Sequence, residues 1–396
     1  MFGPAEVQAP MFEQHLQKLN DQHLLRRLRT ISSATGPTVI LDGREIILLS
    51  SNNYLGLATH PAVVDAAIEA TRRYGAGSGA ARLVCGTLTP HDTLETTLAR
   101  FKGTEAALTF AAGYLTNISA IPALIGKDGV IFADRLCHAS LIDGCRLSGA
   151  TFRVYRHRDM DHLEHLLARR PAARRTLIVT DGIFSMDGDI APMKEMAQLA
   201  ERYGAEMYVD DAHGTGILGR TGRGTLEHCE VESRVRYHMG TLSKALGSAG
   251  GYVAGPATFI AYLVNTCRAF IYTTAPPPSN AAAATAAIQV IEQEPERRAR
   301  LWRNRERLAQ GLLRLGFRLA ASESPILPVI VGAPDRAMNL AQALLTQGVY
   351  APAIRPPTVP PATSRIRLTI TADHTDEQID RALAVLERAG RSLNLI

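Results

Sequence analysis

Between residues 106 and 255 the chain alternates between short apolar runs and helical stretches. Helical patterns such as HASLIDGCRLS, MDHLEHLLARR and MKEMAQLAERYG separate several of these runs. The apolar runs are AALTF, GVIFA, TFRVY, RTLIVTDG, EMYVDDAH, VRYHMGTL and GGYVAG. This alternation predicts an α/β fold with a mostly parallel central sheet and helices on both faces. In such sheets the chemistry gathers at the carboxyl ends of the strands.

The flanking segments have a different pattern. Residues 12–30 carry apolar side chains at helical spacing, and TVILDGREIILLSS predicts a hairpin around Asp42-Gly43. After the prolines at 276–278, helices are interspersed with the strand-like runs FRLA, PILPVIV, VYAPAI and SRIRLTI, which is an α+β pattern. We therefore expect an N-terminal helix and hairpin arm over residues 1–50, a large domain over residues 51–290 and a smaller α+β C-terminal domain over residues 291–396.

Composition excludes several classes of function. The chain is 46% apolar and 20% charged, which is enough to bury a sizeable core. Its net charge of +5 suits a small anionic substrate, but the basic residues form no block dense enough for nucleic acid. No apolar run approaches the roughly 18 residues of a membrane span, and the N-terminus lacks a signal-peptide pattern. Five dispersed cysteines predict reduced thiols and no metal site, so we expect a cytoplasmic protein.

Lys244, in HMGTLSKALGSAGG, is the most unusual charged residue of the chain. No acidic residue lies within ten positions of it, and glycines flank it closely. It follows the predicted strand VRYHMGTL, so we expect it at the carboxyl edge of the sheet. A poorly hydrated lysine has a lowered pKa, and its neutral amine becomes a usable nucleophile.

Asp210, Asp211 and His213 follow another predicted strand, in MYVDDAHGTG. One of the two carboxylates could simply cap a helix. The other could hold a protonated pyridine nitrogen opposite Lys244. An amine and such a carboxylate are the two protein groups that pyridoxal phosphate requires, so the pattern predicts a site for this cofactor.

Further groups suit the phosphate and the ring of that cofactor. Gly113 and Tyr114 open a predicted helix and offer backbone N–H groups to a phosphate, and Thr241 offers a hydroxyl. His138 follows the strand GVIFA, where it either caps a helix or stacks on a cofactor ring. Ser185 lies in a loop after RTLIVTDG, where it is either a turn residue or part of the site.

Four motifs in order, SSNNYLGLATHP, TDGIFSMDGDIAPM, VDDAHGTG and GTLSKALG, resemble those of the α-oxoamine synthases. The resemblance runs from about residue 25 to residue 385. These are fold-type-I pyridoxal phosphate enzymes that condense a small amino acid with an acyl thioester and release the carboxylate as CO₂. The resemblance also implies a homodimer whose subunits share their active sites.

Within that family, YAPAIRPPTVPPATSRIRLTITADHT and CRAFIYTTAPPP are similar to members that use L-alanine and a pimeloyl thioester, on CoA or acyl carrier protein, in biotin biosynthesis. The stretch RLVCGTLTPHDTLE is instead similar to the glycine C-acetyltransferases. That activity, or another acyl donor, is the alternative. A cofactor-free binding module is a further alternative, but it would have no reason to keep the lysine, aspartate and histidine.

The resemblance assigns roles around the cofactor ring. Lys244 would form the Schiff base and also remove the Cα proton. Asp210 would hold the pyridine nitrogen and His213 the phenolate oxygen, together with Ser185. His138 would stack on the ring.

The resemblance also assigns the phosphate and the substrates. Gly113, Tyr114 and Thr241 would contact the phosphate, and Thr273 or Thr274 would reach the phosphate of a neighbouring subunit. For the substrates, Arg367 would bind the amino-acid carboxylate. Arg365 lies on the same face of the strand and is the alternative for this role. Arg367 could also be only an exposed strand arginine without a role in binding. The remaining substrate-binding candidates are Asn52 and Arg26 near the substrate and Thr358 near the acyl chain.

Overall fold

The computed structural model describes residues 5–171 and 174–396. The described residues divide into two compact units. The larger unit consists of Asn52–Trp302 and Thr371–Asp373, and the smaller unit takes in the residues up to Ser51 together with Arg303–Ile370 and His374–Ile396.

The strands are numbered along the chain. They are β1 Thr38–Leu41, β2 Arg44–Leu48, β3 Ala106–Phe110, β4 Val130–Asp134, β5 Thr151–Tyr155, β6 Thr176–Asp181, β7 Glu206–Asp210, β8 Tyr237–Thr241, β9 Gly251–Gly255, β10 Ile326–Gly332, β11 Val349–Tyr350, β12 Ala353–Ile354 and β13 Ser364–Thr369.

The α-helices are numbered in the same way. They are α1 Ala5–Asp21, α2 Pro61–Tyr74, α3 Thr89–Lys102, α4 Gly113–Leu124, α5 Ala139–Leu147, α6 Met160–Ala168, α7 Met193–Tyr203, α8 Thr225–His228, α9 Ala257–Thr266, α10 Arg268–Ile271, α11 Pro278–Gln293, α12 Glu296–Arg314, α13 Pro334–Thr346 and α14 Asp376–Ser392.

The larger unit is built on a seven-stranded sheet of order β3-β9-β8-β7-β6-β4-β5. Strands β5, β4, β6, β7 and β8 run parallel, and β9 runs antiparallel to both of its neighbours. Successive side chains of a strand point to opposite faces. In β4, for example, Ile131 and Ala133 pack in a core with α4 and α5, whereas Val130 and Phe132 pack in a second core with α6 and α7. Helices therefore cover both faces, and the predicted fold class is confirmed.

The strand order brings the carboxyl ends of β3, β4, β6, β7 and β8 to one edge of the sheet. The segments that leave this edge contain Gly113, His138, Asp181, Asp210 and Lys244. Polar groups that are far apart in sequence thus converge at a single edge, as expected for a doubly wound sheet.

The smaller unit has two three-stranded sheets, of order β1-β2-β11 and β10-β13-β12. The predicted hairpin is confirmed: β1 pairs with β2, and Asp42 and Gly43 turn with φ values of 51° and 73°. Positive φ at both central residues is the geometry of a tight hairpin turn.

Three sequence predictions in the smaller unit are wrong. The run FRLA is not a strand, since its Leu319 forms only an isolated bridge with Val329. The predicted helix over residues 12–30 ends at Asp21, because His23 has a φ of 57° and the N–H groups of Leu24 and Leu25 bond back to Leu19. The run VYAPAI is not one strand. It splits into β11 and β12, which join different sheets.

Two general expectations concern the whole described chain. Over residues 5–171 and 174–396, none of the helices is both long enough and apolar enough to cross a bilayer. Three of the five cysteines, Cys137, Cys145 and Cys267, are buried.

Candidate active site

Asp210 ends β7 as a buried hydrogen-bond acceptor. It is 4% exposed, and its Oδ2 accepts a 2.7 Å hydrogen bond from the side-chain amide of Asn117 in α4. Its Oδ1 accepts the backbone N–H of Ala212 at 3.0 Å. These two donors hold the carboxylate in a fixed orientation at the sheet edge.

Lys244 lies in a tight turn after β8, where the Gly247 N–H bonds to the Lys244 carbonyl at 3.0 Å, and its side chain is half-buried. Its positive charge acts on two groups, His138 after β4 and Asp181 at the end of β6. It lowers the pKa of His138 in addition to the lowering caused by desolvation, and it opposes the burial that raises the pKa of Asp181. The lysine amine therefore faces the same edge of the sheet as these residues.

Asp181 is a site residue that the sequence analysis missed. It ends β6 in register with Asp210 of β7, and it is 4% exposed. Burial and the nearby charge of Asp210 raise the pKa of Asp181 well above its usual range. Its Oδ2 accepts the backbone N–H of His138 at 2.8 Å, so it fixes the start of α5.

His138 caps α5 and is exposed. Its Nδ1 lies 2.7 Å from the Ser140 hydroxyl and 3.3 Å from the Ser140 backbone nitrogen. Helix capping and stacking on a cofactor ring are therefore compatible roles for His138, because the residue caps α5 and still remains exposed.

The start of α4 packs directly against β8 and β9. A Cβ added at Gly113 would lie 3.3 Å from Met239 Cε and 3.5 Å from Thr241 Oγ1, and one at Gly251 would lie 2.7 Å from the Gly113 Cα. Only glycines permit so close an approach. The first N–H groups of a helix have no intrahelical acceptor, so Gly113, Tyr114 and Thr241 fit an anionic phosphate.

His213 is buried and pairs with a tyrosine that sequence analysis also missed. The Tyr54 hydroxyl lies 2.8 Å from His213 Nδ1 and 3.3 Å from Asn52 Oδ1. Tyr54 is fully buried. Asn52, a predicted substrate residue, therefore lies one hydroxyl away from His213.

Ser185 is half-buried in a loop closed by the bridge between Ile183 and Ile190. The base of that loop is held by His157, whose Nε2 lies 2.8 Å from Asp189 and whose Nδ1 lies 2.9 Å from Asp134 at the end of β4. The ring thus joins the Ser185 loop to the sheet.

The remaining cofactor candidates lie elsewhere in the larger unit. Thr273 and Thr274 follow α10, and Thr274 forms an isolated bridge with Ala81. Their predicted contact is with a neighbouring subunit, so it stays a prediction.

The other substrate candidates belong to the smaller unit. Arg365 and Arg367 lie two residues apart on β13 and are 3% and 7% exposed, so the reading of Arg367 as an exposed arginine is wrong. Arg365 Nε donates to the Thr363 carbonyl at 3.0 Å. Arg26 Nη2 donates to Thr358 Oγ1 at 3.4 Å, which brings these two predicted residues together.

Asp211 serves a structural purpose. It is fully buried, 3.2 Å from the Lys102 ammonium, and it accepts both the N–H and the hydroxyl of Thr225. Added Cβ atoms at Gly214 and Gly224 would lie 2.1 Å and 1.7 Å from its carboxylate oxygens. The second aspartate of VDDAHGTG is therefore the anchor of a loop.

The missed residues left little signal in the sequence. Asn117 and Ser140 stand in helices, where an amide and a hydroxyl are ordinary surface residues, and Tyr54 sits inside the motif SSNNYLGL. Asp181 was the one detectable case, because a carboxylate ends its strand as it does in β7.

The larger unit thus brings a lysine, a buried aspartate and a glycine–threonine cradle to one sheet edge, and these groups fit pyridoxal phosphate. Together with the fold they define the class of fold-type-I pyridoxal phosphate transferases.

Comparison with known proteins gives the family. The profile of "Aminotransferase class I and II" matches residues 44–386. An 8-amino-7-oxononanoate synthase of Geobacter sulfurreducens is 50% identical over 384 residues, covering 96% of this chain and 98% of the relative. The chain belongs to the aminotransferase class I and II family and, within it, to the α-oxoamine synthases.

Two solved structures are similar over nearly the whole chain. A serine palmitoyltransferase variant of S. paucimobilis with bound PLP–myriocin is 34% identical, with a TM-score of 0.94 and full coverage of both chains. An 8-amino-7-oxononanoate synthase of Francisella tularensis is 27% identical, with a TM-score of 0.75, covering 88% of this chain and 98% of that one.

Proposed function

We propose that this chain condenses L-alanine with a pimeloyl thioester to give 8-amino-7-oxononanoate, CO₂ and the free thiol carrier, a step of biotin biosynthesis. The observation that carries the proposal is the 50% identity to the Geobacter sulfurreducens synthase over 96% of this chain. In the reaction the alanine Cα bonds to the thioester carbonyl carbon. The carbon–sulfur bond breaks, and the bond from Cα to the carboxylate breaks as CO₂ leaves.

The cofactor of this reaction is pyridoxal phosphate, as in the PLP-bound structural relative. When bound, it supplies an electron-accepting protonated ring next to the amino-acid Cα. Lys244 is the residue that would hold the cofactor, and its amine would also take the Cα proton of the amino acid. A half-buried amine among glycines and apolar residues suits this second task, because its neutral form is within reach.

Asp210 keeps the pyridine nitrogen protonated, which requires an ionised carboxylate. The hydrogen bonds from Asn117 and Ala212 hold this carboxylate in place at the sheet edge. His138 covers one face of the ring and excludes water from it. His213, supported by Tyr54, holds the phenolate oxygen.

The outer contacts complete the assignment. Ser185 lies beside the phenolate oxygen, and the phosphate binds to the N–H groups of Gly113 and Tyr114 and to the hydroxyl of Thr241. Thr273 or Thr274 reaches the phosphate of the partner in a homodimer with shared sites. We also propose that the enzyme works in the cytoplasm.

Substrate positioning falls to the arginines. Arg367, or Arg365 on the same face of β13, binds the alanine carboxylate through two parallel hydrogen bonds. Such a contact would orient the amino acid so that its Cα–H bond is presented to Lys244. Arg26 and Thr358 bind the acyl donor, and Asn52 lies near the substrate.

The decisive experiment offers the pyridoxal phosphate-loaded protein L-alanine, glycine and L-serine in combination with pimeloyl-, acetyl- and palmitoyl-thioesters, and measures thiol release. We expect alanine with the pimeloyl thioester to give the highest kcat/KM. The structural similarity to serine palmitoyltransferase makes L-serine with the palmitoyl thioester the second candidate, and a higher kcat/KM for that pair, or for glycine with acetyl-CoA, would overturn the proposal.

Lys244→Ala tests the site itself. It should abolish turnover and the visible absorbance band of the lysine-bound cofactor. The matched control is Lys127→Ala, at an exposed lysine, which should change neither. A normal visible band in the Lys244 variant would disprove the assignment.

A further inference from the structure

A continuous hydrogen-bond network joins two groups that the proposed function places on the cofactor ring. It begins at the buried Tyr208 hydroxyl, which donates to Asn117 Oδ1 at 3.0 Å. The Asn117 amide donates to Asp210 at 2.7 Å and to the Ser140 hydroxyl at 2.9 Å. The Ser140 hydroxyl in turn lies 2.7 Å from Nδ1 of His138.

The direction of each bond in this network is fixed by chemistry. An ionised carboxylate can only accept, so the Asn117 side chain must turn its NH₂ group toward Asp210. Its second N–H then points to Ser140, and its oxygen points to Tyr208. Burial and the charge of Asp210 raise the pKa of Tyr208 well above its usual range, so the phenol stays protonated and its O–H donates a hydrogen bond to Asn117 Oδ1.

The same reasoning fixes the state of the histidine. Because Ser140 Oγ accepts from Asn117, its single proton is directed to His138 Nδ1. The Ser140 backbone N–H also points to Nδ1, at 3.3 Å. Two donors facing one ring nitrogen leave no place for a proton there. Desolvation and the charge of Lys244 lower the pKa of His138, which agrees with a neutral ring.

We propose that Asn117 and Ser140 are positioning residues that hold the Asp210 carboxylate in place and fix His138 as the neutral tautomer with its proton on Nε2. The inference rests on the proposed function for its consequence at the cofactor. A neutral imidazole can cover the ring without placing a second positive charge beside the pyridinium that Asp210 stabilises. The Asn117 amide therefore positions Asp210, which would pair with the ring nitrogen, and through Ser140 it also positions His138, which would cover the ring.

The tautomer is measured directly by long-range ¹H–¹⁵N correlation spectra of ¹⁵N-histidine-labelled protein, with and without pyridoxal phosphate. The His138 signals are assigned by their loss in His138→Gln. We expect an unprotonated Nδ1 and a protonated Nε2 in both samples at pH 7.5. In Ser140→Ala the Nδ1 resonance should move toward the value of a mixed or charged ring. A protonated Nδ1 in the wild-type protein would overturn the proposal.

Activity gives a second readout. Asn117→Leu removes the amide that donates to Asp210, so this carboxylate loses the bond that positions it, and kcat should fall while the KM for L-alanine changes little. The groups around Asp210, namely Asp181, His138, Lys244 and Tyr208, stay unchanged. We expect kcat/KM at pH 7.5 to fall about tenfold or more. An unchanged kcat, or a loss that falls only on KM, in a folded variant would refute the role of Asn117.

Ser140→Ala is the milder variant and keeps the test open if Asn117→Leu does not fold. Its matched control is Ser148→Ala, which removes the hydroxyl that bonds to the Cys145 carbonyl at the other end of α5. Only Ser140→Ala should alter the His138 spectrum. An equal change in both variants would show a general effect of α5 and would overturn the proposal. Failure of the proposed function would appear differently, as absent thiol release in the wild-type protein.

Discussion

Replacing His157 by glutamine tests whether a protonated histidine holds the Ser185 loop to the sheet. The ring lies between Asp134 and Asp189, with both nitrogens within 2.9 Å of a carboxylate oxygen. Burial alone would lower its pKa, but the two hydrogen bonds outweigh burial and raise the pKa from 6.5 to about 9. The side chain is only 21% exposed, so solvent screens the pair weakly.

The size and sign of the effect follow from this shift. A histidine whose pKa is raised by folding contributes stability fully below its unfolded pKa of 6.5, and this stability is lost as the pH rises through about 9. Each pKa unit corresponds to about 1.4 kcal/mol, so the contribution is about 3 kcal/mol at pH 6. Glutamine is neutral at every pH and therefore has no such dependence.

The assay is urea unfolding of the wild type and His157→Gln between pH 6 and pH 10, followed by circular dichroism. We expect the difference in unfolding free energy to shrink by about 3 kcal/mol across this range. His165→Gln, at an exposed histidine of α6, is the control and should show a small, constant difference. A difference between wild type and His157→Gln that stays constant from pH 6 to 10 would refute the protonated bridge.

Three further variants test other parts of the structure. Lys102→Met should cost roughly 3–5 kcal/mol in urea unfolding, because it leaves the buried Asp211 without its cation, whereas a loss below about 1 kcal/mol would contradict this reasoning. Gly251→Ala should weaken pyridoxal phosphate binding, measured by cofactor titration, because its Cβ would lie 2.7 Å from the Gly113 Cα. Asp210→Asn should keep its melting temperature but lose about two or more orders of magnitude in kcat, and near-normal turnover would rule out its proposed role.

The sheet could be predicted because its strands are buried on both faces and therefore appear as short, nearly continuous apolar runs. Two helices of the larger unit end at recognisable glycines: Gly103 has a φ of 66° after α3, and Gly204 has a φ of 60° after α7. The end of the first helix was harder to predict. The amphipathic spacing of residues 12–30 continues past Asp21, and only the backbone turn at His23 ends the helix there.

Candidate site residues could be predicted where a charged residue ends a strand or follows it within a few positions, as with Asp210 and Lys244. The position of a residue relative to a strand end depends on its neighbours along the chain, so it can be recognised from the sequence. The hydrogen-bond partners Asn117 and Tyr54 could not be found in this way. They lie 93 and 159 residues from Asp210 and His213, and only the folded chain brings each pair together.

Asp211 has a consequence for how this sequence can vary. Its carboxylate occupies the space in which side chains at Gly182, Gly214 and Gly224 would otherwise stand, since added Cβ atoms would lie 2.9 Å, 2.1 Å and 1.7 Å from its oxygens. These four positions are spread over more than forty residues, yet they share one volume. A side chain at any of these glycines would therefore collide with the carboxylate that pairs with Lys102, so such a substitution requires Asp211 to move or to change as well.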